Sequence, residues 1–494
     1  MNSIHFPVYI VLLMLITAVI IPVVKNEYNL KFKLSIITSL VAAWILSLVT
    51  LINVLKHGAY VYNFGNWQAS IGIQFMIDEF SAFMTFVIIT MSILILIYSL
   101  KDIEHEILAV QILRYYTLVF LMLFSMIGIT LTNDLFNLYV FMEILSITSC
   151  AIISIKKKKE NLLAALKYLM LGAIGSISVL MGLALLYMVT GNLNMTENHK
   201  IIMATWQLYP RNILVALGFI LTGFGIKAAV FPLHSWLPDA HSTAPTPSSA
   251  LLSGLVVKVY IFAVMKLLFR VVGLEIIQAI AIPQFITYFA VTGMIMGSVF
   301  AIGQKDIKRL LAYSSVAQIG YIFLGMGLAT TRGFSAALFH VVTHALMKSA
   351  LFLSAGAIIY KKGKRDIREL EGIGYEMPIT MMVFTTAALA MIGIPGLNGF
   401  MSKWYLSFAV LEAGKPIYLI LILVSSFLNA VYYLPIIINA FLRESQERKN
   451  DMVWDGLPKS MTIPMVIIAA LCIIIGFFPQ IVMNFVERAV LTFL

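Results

Sequence analysis

Thr222-Gly-Phe-Gly-Ile-Lys227-Ala-Ala-Val-Phe-Pro232-Leu-His234-Ser-Trp-Leu-Pro238-Asp239-Ala-His241-Ser-Thr-Ala-Pro245-Thr-Pro247-Ser-Ser-Ala-Leu-Leu-Ser-Gly-Leu-Val-Val-Lys258 interrupts a chain that is otherwise a succession of long apolar runs. An apolar helix carrying Lys227 meets Pro232, a polar segment with His234, Asp239 and His241 follows, and beyond Pro245 and Pro247 an apolar helix carrying Lys258 begins. A lysine in hydrocarbon costs about 2.5–3.5 kcal/mol on insertion scales, so it is kept where a partner or a wet cavity receives it. Two such lysines on either side of a proline-broken segment point to an ion pathway.

The surroundings agree. The chain is 61% hydrophobic and 12% charged, with mean hydropathy +0.96, whereas about a quarter of the residues of a soluble domain are charged. This composition specifies an all-α polytopic membrane protein, read as a single membrane domain over residues 1–494 because no polar block is long enough to fold alone. The run from Ile4 to Val24 is too long for a signal-peptide core and lacks a charged leader, so it reads as a retained first span. Cys150 and Cys472 lie within apolar runs without CxxC spacing, so no disulfide, cluster, structural metal or other cofactor is expected.

Apolar runs near the length needed to cross a bilayer, about 20 residues, fall at 4–24, 33–54, 78–99, 115–131, 134–155, 162–189, 213–231, 248–272, 279–303, 309–329, 334–360, 378–411, 417–442 and 461–482, about fourteen spans. Positive residues concentrate in cytoplasmic loops, and here they sort to alternate loops. The odd loops hold Lys25, Lys31, Lys33, Lys101, Arg114, Lys156 to Lys159, Lys305, Lys308, Arg309, Lys361, Lys362, Lys364, Arg365, Arg368, Arg443, Arg448, Lys449 and Lys459. The even loops hold Lys56, Lys200, Arg211, Arg270, Arg332 and Lys415. The bias puts both termini outside the plasma membrane, and it explains the net charge of +11 by anionic lipid, with no nucleic-acid partner.

Six lysines remain within spans: Lys167, Lys227, Lys258, Lys266, Lys348 and Lys403, with Glu143 the one acid near a span centre. Glu143 is read as the partner of Lys227, although a local bond to Ser146 or Thr148 would also satisfy it. A nearby ammonium favours the ionised carboxylate and its departure favours the protonated one, so one charge displacement can load or unload a proton. Lys258 lies deep in its span, and Lys403 follows Gly393-Ile-Pro395-Gly396-Leu-Asn-Gly399, where freed backbone groups need partners. His340, His344 and Lys348 share one helix face at i, i+4 and i+8. His-Val-Val-Thr-His lacks the glutamate of a zinc helix, so a proton wire or interhelical hydrogen bonding is expected there and not a metal. Lys167 and Lys266 are close enough to span ends to snorkel. His234, Asp239 and His241 are placed in a cytoplasmic-side loop, either as an intake funnel or as helix caps.

Lys227-Ala-Ala-Val-Phe-Pro-Leu-His-Ser-Trp-Leu-Pro-Asp-Ala-His followed by Ala244-Pro-Thr-Pro-Ser-Ser-Ala-Leu resembles the signature of the antiporter-like subunits shared by Mrp-type cation/proton antiporters, respiratory complex I and membrane-bound hydrogenases. The resemblance covers nearly the whole chain. It implies fourteen helices, two inverted five-helix repeats (115–272 and 279–442) with helices 7 and 12 broken, a three-helix N-terminal segment (1–100) and a last helix (461–482). It further implies that Glu143, Lys227, Lys258 and Lys403 occupy the family's key positions, that the partners are other integral membrane subunits with H+ and Na+, and that redox chemistry, where present, belongs to the rest of the complex. Length, the end at Leu494 and lysine at 403 place the chain nearest the Mrp D-type subunit, while Asp-Ala-His-Ser-Thr-Ala-Pro-Thr-Pro equally suits a hydrogenase-complex subunit. Rival classes are a solitary lipid or polysaccharide flippase, which would need an arginine-lined cavity, and a purely structural membrane subunit.

Overall fold

The computed structural model describes residues 3–23, 28–67, 72–443 and 455–493; Lys25, Arg448 and Lys449 lie outside them. The first part of the chain holds α1 (Phe6–Val23), α2 (Leu30–His57), the hairpin β1 (Tyr60–Asn63) and β2 (Gln74–Ile77), α3 (Glu79–Glu106), α4 (Ala109–Leu131), α5 (Leu135–Ile153), α6 (Lys159–Thr190) and α7 (Met195–Thr205). The interrupted middle follows as α8 (Pro210–Lys227), α9 (Leu237–Thr243), α10 (Thr246–Leu251), α11 (Val257–Met265) and α12 (Leu274–Ala279), with π turns at Leu252–Val256 and Lys266–Val272. The rest is α13 (Ile282–Ile302), α14 (Ile307–Gly327), α15 (Thr331–Lys362), α16 (Ile373–Glu376), α17 (Pro378–Ile392), α18 (Asn398–Glu412), α19 (Ile417–Leu442), α20 (Lys459–Phe477) and α21 (Gln480–Phe493).

Among the described residues, 11 helices are long and apolar enough to cross a membrane. The other expected spans fall on interrupted helices: 213–231 on α8 and the turn after it, 248–272 on α10, α11 and their π turns, and 378–411 on α17 and α18. α14 and α15 are almost wholly buried and form the centre, whereas α2, α6 and α19 keep most of their apolar surface outward, as helices facing lipid do.

Small residues set the closest approaches. A Cβ at Gly223 of α8 would lie 2.4 Å from the carbonyl oxygen of Gly175 on α6, and one at Gly320 of α14 would lie 2.5 Å from that of Ala290 on α13. With no hydrophobic drive between helices in lipid, such backbone contact is what holds them together.

The hairpin lies outside the apolar runs. β1 pairs antiparallel with β2 (Tyr60 opposite Ile77, Asn63 opposite Gln74). Gln74 ties it down: its Oε1 accepts from Asn133 at 2.7 Å and Asn194 at 2.9 Å, and its Nε2 donates to Asn63 at 2.8 Å.

Candidate functional site

A buried lysine stands at each helix break. α8 stops at Lys227, Ala229 adopts a left-handed φ of 54°, and the indole of Trp236 donates to the Ile226 carbonyl at 2.7 Å. Lys227 is thereby held at the helix end, buried, with Nζ 3.5 Å from Glu143 Oε1 and 3.1 Å from Ser146 Oγ. Ser176 of α6 donates to the same carboxylate oxygen. The Glu143 side chain is 29% exposed on the flank of the chain, so the pair is dry on the Lys227 side and reachable on the other.

At the second break α17 ends at Gly393 (φ 98°) and the chain turns through Gly396 (φ 86°) before α18. Lys403 Nζ donates to the freed carbonyls of Met391 and Ile392, each at 2.9 Å, and to Ser426 Oγ at 2.9 Å. The last carbonyls of a helix have no intrahelical donor, and an ammonium supplies one.

Between the breaks, α15 carries the histidine face into the centre. His340 Nδ1 is 2.9 Å from Ser402 Oγ, the residue before Lys403. The rings of His340 and His344 stack with centroids 5.8 Å apart. Tyr321 bridges the groups, its ring 5.6 Å from His340 and 5.0 Å from Lys403 Nζ. Lys348 donates to the Leu311 carbonyl at 2.7 Å and to Ser314, whose hydroxyl lies 2.9 Å from that of Tyr433. Lys258 donates to the Ser253 carbonyl, which belongs to the π turn of its own helix, and Ser253 Oγ is 2.9 Å from Ser315 Oγ on α14. Both ring nitrogens of His344, Nε2 of His340 and the amide of Gln318 are buried without a hydrogen-bond partner among the described residues.

Lys258, His340, His344, Lys348 and Lys403 therefore form one buried polar seam, and Glu143 with Lys227 a second centre. The Tyr260 ring, two residues beyond Lys258, lies 5.9 Å from Lys227 Nζ.

Several placements differ from the sequence expectation. Asp239 and His241 lie on α9, not in a loop, and His241 is fully buried beside Phe352, ring centroids 5.1 Å apart. His234 is buried between the rings of Phe231 and Phe300. Asp239 accepts from Lys167 of α6 at 2.8 Å and Arg309 of α14 at 3.2 Å, so the half-exposed Lys167 ends on an ion-pair partner. Lys266 does not snorkel: fully buried, it donates to the Ile129, Thr130 and Thr132 carbonyls at the end of α4 at 3.3, 3.0 and 2.5 Å. Arg270, expected in an outer loop, is buried against Asp78, and Lys308, expected in a cytoplasmic loop, is buried with Nζ 2.7 Å from the Ala244 carbonyl. Loop assignment fails at these two because each cation has a partner far away in sequence.

Apolar helices broken at two points, with a buried cation at each break, define a polytopic membrane protein with the interrupted-helix build that secondary transporters use. The family model described as NADH:quinone oxidoreductase/Mrp antiporter, TM, matches residues 132–429, and that described as NADH-Ubiquinone oxidoreductase (complex I), chain 5 N-terminus, matches 63–107. The chain belongs to this family, as an antiporter-like membrane subunit. It is 34% identical to the N subunit of NADH-quinone oxidoreductase from Desulforudis audaxviator over 98% of each chain. With the D-type subunit of the Na(+)/H(+) antiporter from Alkalihalophilus pseudofirmus the identity is 30%, over 89% of this chain and 87% of the relative. The solved membrane-bound sulfane sulfur reductase, an archaeal respiratory membrane complex, contains a chain that superposes with TM-score 0.89 at 31% identity, covering 98% of this chain and 96% of that one.

Proposed function

We propose that this chain translocates protons within a multisubunit complex of the plasma membrane, as a D-type subunit of an Mrp-type Na+/H+ antiporter. The observation that carries the proposal is the Glu143–Lys227 pair, 3.5 Å apart where α8 breaks. A salt bridge whose cation sits at the end of an interrupted helix is easier to open than one between continuous helices, because only a turn must move. Opening it shifts charge toward Lys258 and leaves a carboxylate that takes up a proton. The seam through His344, Lys348, His340 and Lys403 then continues the route, its unpartnered polar atoms being satisfied by ordered water, which buried polar groups require.

His234, Asp239 and His241 serve as the intake from the cytoplasmic side, with Asp239 gripping both halves. In this reading 115–272 and 279–442 act as inverted repeats, 1–100 and the last span frame them, and both termini lie outside.

A second reading, favoured by the 34% identity to the N subunit of the oxidoreductase over 98% of both chains, makes this the proton- or sodium-pumping subunit of a redox-driven complex. Purification of the native complex and reconstitution into vesicles separates them. Small membrane companions and Na+-driven proton movement support the antiporter; hydrophilic companions bearing redox clusters support the pump; a chain that purifies alone and moves no protons overturns both.

A further inference from the structure

Tyr98, Asp102 and Glu106 follow one another at i, i+4 and i+8 along one face of α3, ending at its last residue. Neither acid belongs to the seam described above, yet Asp102 is 1% exposed. Glu106 is fully engaged: Lys156 pairs with it, and the Thr246 backbone N–H donates to it at 2.7 Å. Lys308, the other nearby cation, gives its Nζ to the Ala244 carbonyl. Asp102 receives no such help, and its Oδ2 is buried with no donor among the described residues. It lies one helical turn from Glu106 on the same buried face, where two carboxyls can share a hydrogen bond only if one of them carries a proton.

Two acids one turn apart in a dry site do not both ionise. Glu106 keeps the negative charge because donors surround it. An ionised Asp102 would leave a charged oxygen unpaired in the interior, the costliest arrangement available.

We infer that Asp102 and Glu106 share one proton and form a proton-loading site at the basic-loop end of the chain, which passes its proton inward by way of Tyr115 and Ser248 toward Lys258. Tyr115 of α4 is fully buried within the electrostatic reach of both acids, and the Ser248 hydroxyl of α10 donates to its oxygen at 3.5 Å. Ser248 stands five residues before Ser253, whose carbonyl holds Lys258. The other charged or titratable groups facing Asp102 are Tyr98, Lys156 and Lys308.

In the handoff the Asp102 O–H bond breaks, the Tyr115 and Ser248 hydroxyls each accept one proton and release one, and a neutral Lys258 amine becomes an ammonium. Asp102 is then reloaded through the Glu106 end, where the Lys156 side chain is 18% exposed. Nothing is oxidised or reduced.

The inference rests on proton translocation by this chain, and its test separates the two. The assembled complex in lipid vesicles is studied by infrared difference spectroscopy during a pH jump, and by proton-transport assay. Asp102→Asn is expected to abolish the band of a protonated buried carboxyl and to slow proton transport about a hundredfold, as loss of a positioned proton-transfer group does. Asp102→Glu restores both signals, and Tyr115→Phe slows transport but keeps the band. An unchanged carboxyl band in Asp102→Asn, or wild-type transport in that variant, overturns the loading site. A wild-type complex that moves no protons overturns the reading of the chain as a translocator, while the band still decides where the proton resides.

Discussion

Lys227 Nζ stands 3.5 Å from Glu143 Oε1, joining the broken end of α8 to the middle of α5. The pair is lopsided: the ammonium is buried and also donates to Ser146 at 3.1 Å, while the carboxylate is partly exposed and accepts from Ser176. Lys227→Met removes the mobile charge and leaves the carboxylate its serine donor. The complex should therefore assemble on native gels while proton transport falls about a hundredfold; full transport in this variant would reduce the pair to a structural bridge.

Lys403 holds the second break closed through two carbonyls of α17 and Ser426. Lys403→Met strips the donor from buried acceptors at about 1–3 kcal/mol each. The detergent-solubilised complex should melt at lower temperature and be cut faster by protease between Gly393 and Gly399. An unchanged protease pattern contradicts the proposed hold on the break.

Asp78 caps α3 and pairs with Arg270, 192 positions along the chain. Its carboxyl is satisfied in this dry site by the Arg270 guanidinium and by the Ser81 backbone N–H at 2.8 Å. Asp78→Asn should cost about 3–5 kcal/mol by breaking a buried ion pair from one side. A lower melting temperature of the solubilised complex is the expected result, and wild-type thermal stability would show that the pair does not hold the fold.

Gly223 lets α8 touch α6, since a Cβ there would lie 2.4 Å from the Gly175 oxygen. Gly223→Val should destabilise by about 1–3 kcal/mol through overpacking and displace Lys227 from Glu143. Reduced thermal stability together with slowed proton transport is the expected pair of results. A variant with normal stability means that the contact is looser than drawn.

How much of this the sequence discloses depends on the reach of each interaction. The apolar runs and the breaks after Lys227 and at Gly393 are legible, because hydrocarbon tolerates only long helices and a proline or glycine stops them. His340, His344 and Lys348 are legible as one face because helical periodicity is local. Arg270 is not, because its partner Asp78 is 192 positions away. Lys308 likewise reads as a loop lysine and Lys266 as an end-of-span one, and only packing reveals that backbone carbonyls of other segments hold them. The hairpin at 60–77 is missed because its four-residue strands lie between long spans and are fixed by Gln74 against Asn133 and Asn194, which no periodicity announces. The Asp102 and Glu106 pair is hidden by the same habit that misplaces Lys308: acids at a span end read as surface.

The most direct test of the central claim is proton flux through the reconstituted complex carrying Glu143→Gln, which keeps the bonds to Ser176 and Lys227 within reach but cannot bind and release a proton. Flux near the level of empty vesicles, with the complex intact, is the result predicted here. Flux equal to wild type would contradict it.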